Sequence, residues 1–180
     1  DSNSENNFNL DGTDSVLILF FTALGMITRI FRIQFPSSIV YDEGRYGNFT
    51  NSYLRGQYFH DNNPPLAKLI LAGISHYAGY NGGYNFYKQD YSTMTYVAMR
   101  ITPAFFGALC VPLSYLLMRF MMCSHFTSFF SALLVMSDLI LIVEARHFLI
   151  NGIFHFFIIH FPGIFLTVDK FHYSAGMDRR

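Results

Sequence analysis

Three carboxylates, Asp42, Glu43 and Asp61, and three guanidinium groups, Arg29, Arg100 and Arg146, are the side chains of this sequence best placed to do chemistry. Asp42 and Glu43 are adjacent in Tyr41-Asp42-Glu43, and Asp61 opens the run Asp61-Asn62-Asn63-Pro64-Pro65-Leu66-Ala67-Lys68. Such acids can supply a general base or bind a cation. Carboxylates packed together raise one another's proton affinity and nearby guanidinium groups lower it, so an acid here can be tuned to accept a proton. The arginines all fall where apolar segments begin or end, and guanidinium groups bind phosphate through paired hydrogen bonds. A base beside a phosphate clamp at a membrane face is the equipment for group transfer from a lipid phosphate. Spacing alone leaves open a plainer reading, in which the same acids and arginines form interfacial salt bridges.

The elements that must position these groups are membrane helices. With 52% hydrophobic, 18% aromatic and only 13% charged residues, the chain is too apolar for an ordinary soluble domain and fits an all-α integral membrane protein. A formal net charge of zero leaves no basic excess for phosphate backbones, which argues against a nucleic-acid partner and leaves membrane lipid as the surroundings. Cys110 and Cys123 lie on or beside one apolar segment and are expected to be free thiols rather than a disulfide or metal pair. The first residue is aspartate, as expected of a fragment or processed product, and the opening residues lack the pattern of a signal peptide.

In chain order, residues 1–14 read as a disordered polar tail. Residues 15–35 form a first transmembrane helix, long enough to cross a hydrocarbon core of about 30 Å. Arg29 and Arg32 share a face near its far end. Arg32 is expected to snorkel to the headgroups, whereas the deeper Arg29 needs an anionic partner. Pro36 opens a long loop, 36–100, with the acids at an exposed turn, an aromatic amphipathic stretch over 49–59 and an interfacial helix starting at Pro65. Lys88 and Asp90 belong to a polar, tyrosine-rich return to the membrane surface. Residues 101–168 hold transmembrane helices 2–4, and 169–180 a polar tail. Four spans put both termini on one side and the long loop, Glu144 and Arg146 on the other.

Some signals have plainer readings. Asn48-Phe49-Thr50 matches the N-glycosylation sequon, but its closeness to Asp42 would crowd a glycan. Asp138, inside the third span, is read as a structural partner for a serine or backbone group. His147, His155 and His160 lack metal-site spacing and are read as packing or interfacial residues, so no metal is assigned.

Three tracts taken together resemble one family: Tyr41-Asp42-Glu43, then Tyr58-Phe59-His60-Asp61-Asn62-Asn63-Pro64-Pro65-Leu66-Ala67-Lys68-Leu69, then Ala78-Gly79-Tyr80-Asn81-Gly82. Tyr96-Val97-Ala98-Met99-Arg100, Gly107-Ala108-Leu109 and Glu144-Ala145-Arg146-His147-Phe148-Leu149-Ile150 continue the pattern in the same order. This combination resembles the dolichyl-phosphate-mannose:protein O-mannosyltransferases over most of the chain.

The resemblance implies a GT-C-like multi-span helical bundle in the endoplasmic reticulum membrane, with a long luminal loop carrying interfacial helices. It implies transfer of mannose from dolichyl phosphate mannose to serine or threonine hydroxyls of acceptor proteins, with inversion at the anomeric carbon and no cofactor. By position, Asp42 would be the base, Glu43 its neighbour and Asp61 a shaper of the acceptor or sugar site. Arg29, Arg100 and Arg146 would lie near the donor phosphate or in the core around it. A homodimer or heterodimer with another family member fits the same picture. This chain has Arg45, Asn63 and Asn151 where the family usually has histidine, histidine and aspartate, and the last two exchanges remove a titratable group. The family is also longer, with a luminal MIR domain, so the resemblance covers its N-terminal part. A different acceptor for a polyprenyl-phosphate sugar, or a non-catalytic membrane subunit, are the alternative readings.

Overall fold

The computed structural model describes residues 10–87, 91 and 95–177, with side chains described as far as residue 165. Residues 1–9 of the tail expected over 1–14 and the return segment's Lys88 and Asp90 lie outside the described residues. Among the described residues seven helices follow in order: α1 (Gly12–Ile30), α2 (Glu43–Leu54), α3 (Pro65–Tyr77), α4 (Tyr96–Phe120), α5 (His125–Ser137), α6 (Leu139–Arg146) and α7 (Asn151–Met177).

The first helix begins inside the segment expected to be a tail. Asp11 caps it by accepting from the Asp14 amide at 2.9 Å while the Asp14 carboxylate accepts from the Asp11 amide at 3.1 Å, a reciprocal capping box. Asp14 is wholly buried, because Arg119 Nε and Tyr115 Oη also donate to its Oδ1, at 2.8 and 2.6 Å. That ion pair fastens the start of α1 to the end of α4. Asp11, Asp14 and His125 bring one ligand atom each within 4.8 Å of one another, and the guanidinium already on Asp14 makes this an ion-pair cluster.

At its other end α1 stops at Ile30, short of the expected 35. Arg146 Nη1 donates to the carbonyls of Thr28 and Arg29 at 3.1 and 3.3 Å, which satisfies helix-end carbonyls, and Arg32 then takes a left-handed conformation with φ of 53°. The chain therefore turns off the helix before reaching Pro36.

The central helix is α4, packed by α1, α5, α6 and α7. Close approach to α6 depends on Gly107, since a Cβ there would lie 2.4 Å from the Ala145 Cβ. Small residues at such crossings let helix backbones meet where lipid supplies no hydrophobic drive. One cluster of buried side chains, Phe21, Val111, Tyr115 and Ala132, fills the half of the bundle near Asp14. The other, which includes Tyr46, Leu71, Tyr91, Met99, Phe148 and Ile153, joins the long loop to the opposite end.

Among the described residues, α1 and α4 are long and apolar enough to cross a membrane, and a third span results if α5 and α6 count as one. That pair bends by 55° where one continuous helix was expected, and Asp138 sits at the break. Its Oδ1 accepts from the amides of Ile140 and Leu141 at 2.9 and 3.1 Å, capping α6, so its partner is backbone. The apolar stretch of α7 with described side chains, Asn151–Phe165, is shorter than a full span, although the helix itself continues to Met177 through the expected polar tail.

Candidate active site

The long loop is more helical than its sequence suggests. Glycines and asparagines make α2 a weak helix by composition, and packing decides it: a Cβ on Gly47 would stand 2.4 Å from the Phe86 ring, so the helix lies directly against that ring. Proline opens α3 at Pro65, where its missing N–H costs no helix bond.

Asp42 is the residue just before α2, and Glu43 is the first within it. One position apart, they meet opposite environments. The Glu43 side chain is fully buried and accepts five hydrogen bonds: from Arg100 Nε and Nη2 at 2.7 and 2.8 Å, from the Phe148 and Val40 amides at 2.9 and 3.0 Å, and from Tyr91 Oη at 3.2 Å. The expectation that both acids sit on an exposed turn therefore fails for Glu43, because its carboxylate turns inward to Arg100. Asp42 remains exposed, makes no side-chain cap, and among the described residues none donates to its carboxylate.

Arg100 is as fully used as Glu43. Beyond the two bonds to the carboxylate, Nη1 donates to the Pro36 and Ile33 carbonyls at 2.6 and 3.4 Å and Nη2 to the Ser38 carbonyl at 3.0 Å. A guanidinium has only five N–H donors, so Arg100 has none left for a phosphate. Its plane also lies over the rings of Tyr91 and Tyr96. Burial, with Glu43 beside it, pushes the Tyr91 phenol well above its ordinary range, so it stays a donor to the acid.

The other two arginines differ from each other. Arg29 is wholly buried, donating to Thr28 Oγ1 at 3.1 Å and the Val135 carbonyl at 3.4 Å, and its Nε has no partner among the described residues. Among the described residues no carboxylate hydrogen-bonds it, although Asp138 acts on it through space. Arg146 is half-buried and among the described residues bonds only carbonyls, those of Thr28, Arg29 and Arg32, through Nη1 and Nη2. Of the three, it alone combines partial exposure with donors left over.

Asp61 stands apart from the acid pair in its bonding. Lys68 Nζ donates to its Oδ2 at 2.7 Å and Arg45 Nη2 to its Oδ1 at 2.8 Å, and the Lys68 hydrogen bond holds its carboxyl below the usual range. Lys68 also bonds the Asn63 carbonyl at 2.9 Å and lies over the Phe49 and Phe59 rings. Arg45 is thus the outer half of a clamp on Asp61.

The structure also gives site contacts to residues that motif reading left without a role there. The Tyr41 ring meets the His147 ring edge to face at 5.2 Å, and the Phe148 amide bonds Glu43, so segment 41–43 is tied side by side to 147–148. Tyr91 joins the same network from a stretch whose sequence is merely tyrosine-rich. Only pairing across more than a hundred residues brings His147 to Tyr41, and periodicity carries no trace of that.

Comparison with known proteins follows the same segments. The family model for dolichyl-phosphate-mannose-protein mannosyltransferase matches residues 19–168. Dolichyl-phosphate-mannose--protein mannosyltransferase 3 of Saccharomyces cerevisiae is 33% identical over 161 residues, covering 87% of this chain and 21% of that protein. Protein O-mannosyl-transferase 1 of Danio rerio is 34% identical over 149 residues, covering 81% of this chain and 21% of that protein. The solved S. cerevisiae protein O-mannosyltransferase Pmt1-Pmt2 complex bound to the sugar donor matches with a TM-score of 0.82 at 29% identity, over 88% of this chain and 22% of that one. The chain thus spans about a fifth of the length of the relatives it matches. With its helical bundle and loop helices shared with that membrane enzyme, the chain belongs to the dolichyl-phosphate-mannose-protein mannosyltransferase family.

Proposed function

We propose that this chain carries the acid-base end of a protein O-mannosylation site, acting within a multi-pass assembly of the endoplasmic reticulum membrane. The observation that supports this most is the contrast at 42–43: Glu43 is locked by Arg100, while the neighbouring Asp42 carboxylate faces outward with no partner among the described residues. A general base has to be within hydrogen-bond reach of the proton it takes, and an exposed, rigidly mounted carboxylate meets that need.

In the proposed step Asp42 takes the proton from a serine or threonine hydroxyl as its oxygen bonds to the anomeric carbon of the donor mannose. The bond from that carbon to the phosphate oxygen breaks, and dolichyl phosphate departs with the electron pair from the face opposite the attack. This displacement inverts the anomeric carbon. Charge gathers on the departing phosphate, so a fixed cation there lowers the barrier. Arg146 is assigned that contact, since Arg100 has no free donor and Arg29 is enclosed. Glu43 and Arg100 act as positioning residues, and Asp61 with Lys68 shapes the neighbouring wall. No metal or cofactor enters the step.

The name of the solved relative, a complex of two such proteins bound to the sugar donor, supports both the donor and a heterodimer with another family member. The test is transfer of radiolabelled mannose from dolichyl phosphate mannose in membranes that contain the chain and a family partner. Labelling of serine/threonine peptides is expected. Labelling of lipid acceptors alone would favour another polyprenyl-phosphate-sugar transferase, and transfer indifferent to this chain would favour a non-catalytic subunit.

A further inference from the structure

We propose that Tyr41 and His147 form a sugar-contacting wall beside Asp42, made for the pyranose ring of a lipid-phosphate-linked hexose. The proposal rests on the reading of Asp42 as the base. Its own support is geometric. Tyr41 is a non-glycine residue with φ of 51°, in the left-handed region that costs a β-carbon residue energy, and such conformations persist only where surroundings enforce them. What it gains is an outward ring: Tyr41 is 71% exposed, although its edge-to-face contact with His147 fixes its direction.

The histidine presents one definite polar edge. Its Nδ1 lies 2.7 Å from the Val143 carbonyl, which can only accept, so Nδ1 carries the proton, and in that tautomer Nε2 is an acceptor. Nε2 has no hydrogen-bond partner among the described residues. An aromatic face for the C–H side of a sugar and one acceptor for a hydroxyl are a sparse but sufficient recognition set, of the kind that fixes orientation in small-molecule sites.

Position assigns this wall to the donor sugar. His147 adjoins Arg146, the residue given the phosphate, and Tyr41 adjoins Asp42. A hexose lying along Tyr41 and His147 would then be flanked by the residues next to them in the chain, Arg146 on the phosphate side and Asp42 on the acceptor side. The wall is held to the site by the Phe148 amide on Glu43 and by Arg146 on the end of α1, so it need not be assembled when the lipid arrives.

The test uses the full chain in lipid nanodiscs, titrated separately with dolichyl phosphate mannose and dolichyl phosphate. The wild type is expected to prefer the mannosylated lipid by about fivefold, the size of one aromatic contact. Tyr41→Leu and His147→Leu are expected to lose that preference while binding dolichyl phosphate as before, and Tyr41→Phe to keep it. Unchanged binding of dolichyl phosphate also shows that the variants fold. A preference that survives in both leucine variants, or a wild type without one, overturns the wall and leaves the role of Asp42 standing. A wild type that binds neither lipid overturns both.

Discussion

Glu43 and Arg100, 57 residues apart, meet through two parallel hydrogen bonds of 2.7 and 2.8 Å, and both side chains are essentially closed to solvent. The pair ties the first residue of α2 to the second turn of α4. Breaking it from one side would strand a buried charge, which typically costs about 3–5 kcal/mol. Glu43→Gln and Arg100→Met are each expected to lower unfolding stability in detergent by that order. The double variant should lose far less than the sum, because its second change removes the stranded charge. Additive losses in a thermal or denaturant melt would show that the two groups do not act as a pair.

Asp61 gives the structure an acid-sensitive clamp. Its carboxyl is held below the ordinary range chiefly by the Lys68 hydrogen bond. A depressed folded value means the clamp adds stability above the unfolded carboxylate range and loses it as pH falls through the folded value. Asp61→Asn should therefore be less stable than wild type at neutral pH, with the gap closing as pH is lowered below about 4. Parallel melts across that range check the sign. A gap that widens toward acid would contradict the clamp.

The sequon Asn48-Phe49-Thr50 is folded into α2, with Thr50 only 2% exposed and its hydroxyl donating to the Tyr46 carbonyl at 3.0 Å. The native chain is expected to carry no glycan at Asn48. Treatment with an N-glycosidase should leave its gel mobility unchanged, and a downward shift abolished by Asn48→Gln would contradict this packing.

Sequence showed some of this plainly and concealed the rest for identifiable reasons. The hydrophobic runs around Phe21 and Val111 declare α1 and α4 because a membrane span needs only length and apolarity. Proline at the head of α3 was equally legible. The break at Asp138 lay hidden in a continuous apolar run, although an aspartate before an apolar stretch is also a capping signal. Asp42 and Glu43 could be named as the acids, but not told apart. Which one turns inward is decided by Arg100 and by the Phe148 amide, and neither is near in sequence. The same distance effect hid Arg100's saturation, since a guanidinium's free donors can be counted only once its partners are known.

The central claim is that Asp42 removes the acceptor proton. Its most direct test is Asp42→Asn in membranes holding the chain with a family partner, scored by mannose transfer to a serine/threonine peptide and by donor binding. Transfer is predicted to fall by about 10²–10⁴-fold, the usual worth of a general base. Donor binding and melting behaviour should stay as in wild type, because the exposed carboxylate supports nothing else. Transfer at the wild-type rate by the asparagine variant would contradict the account.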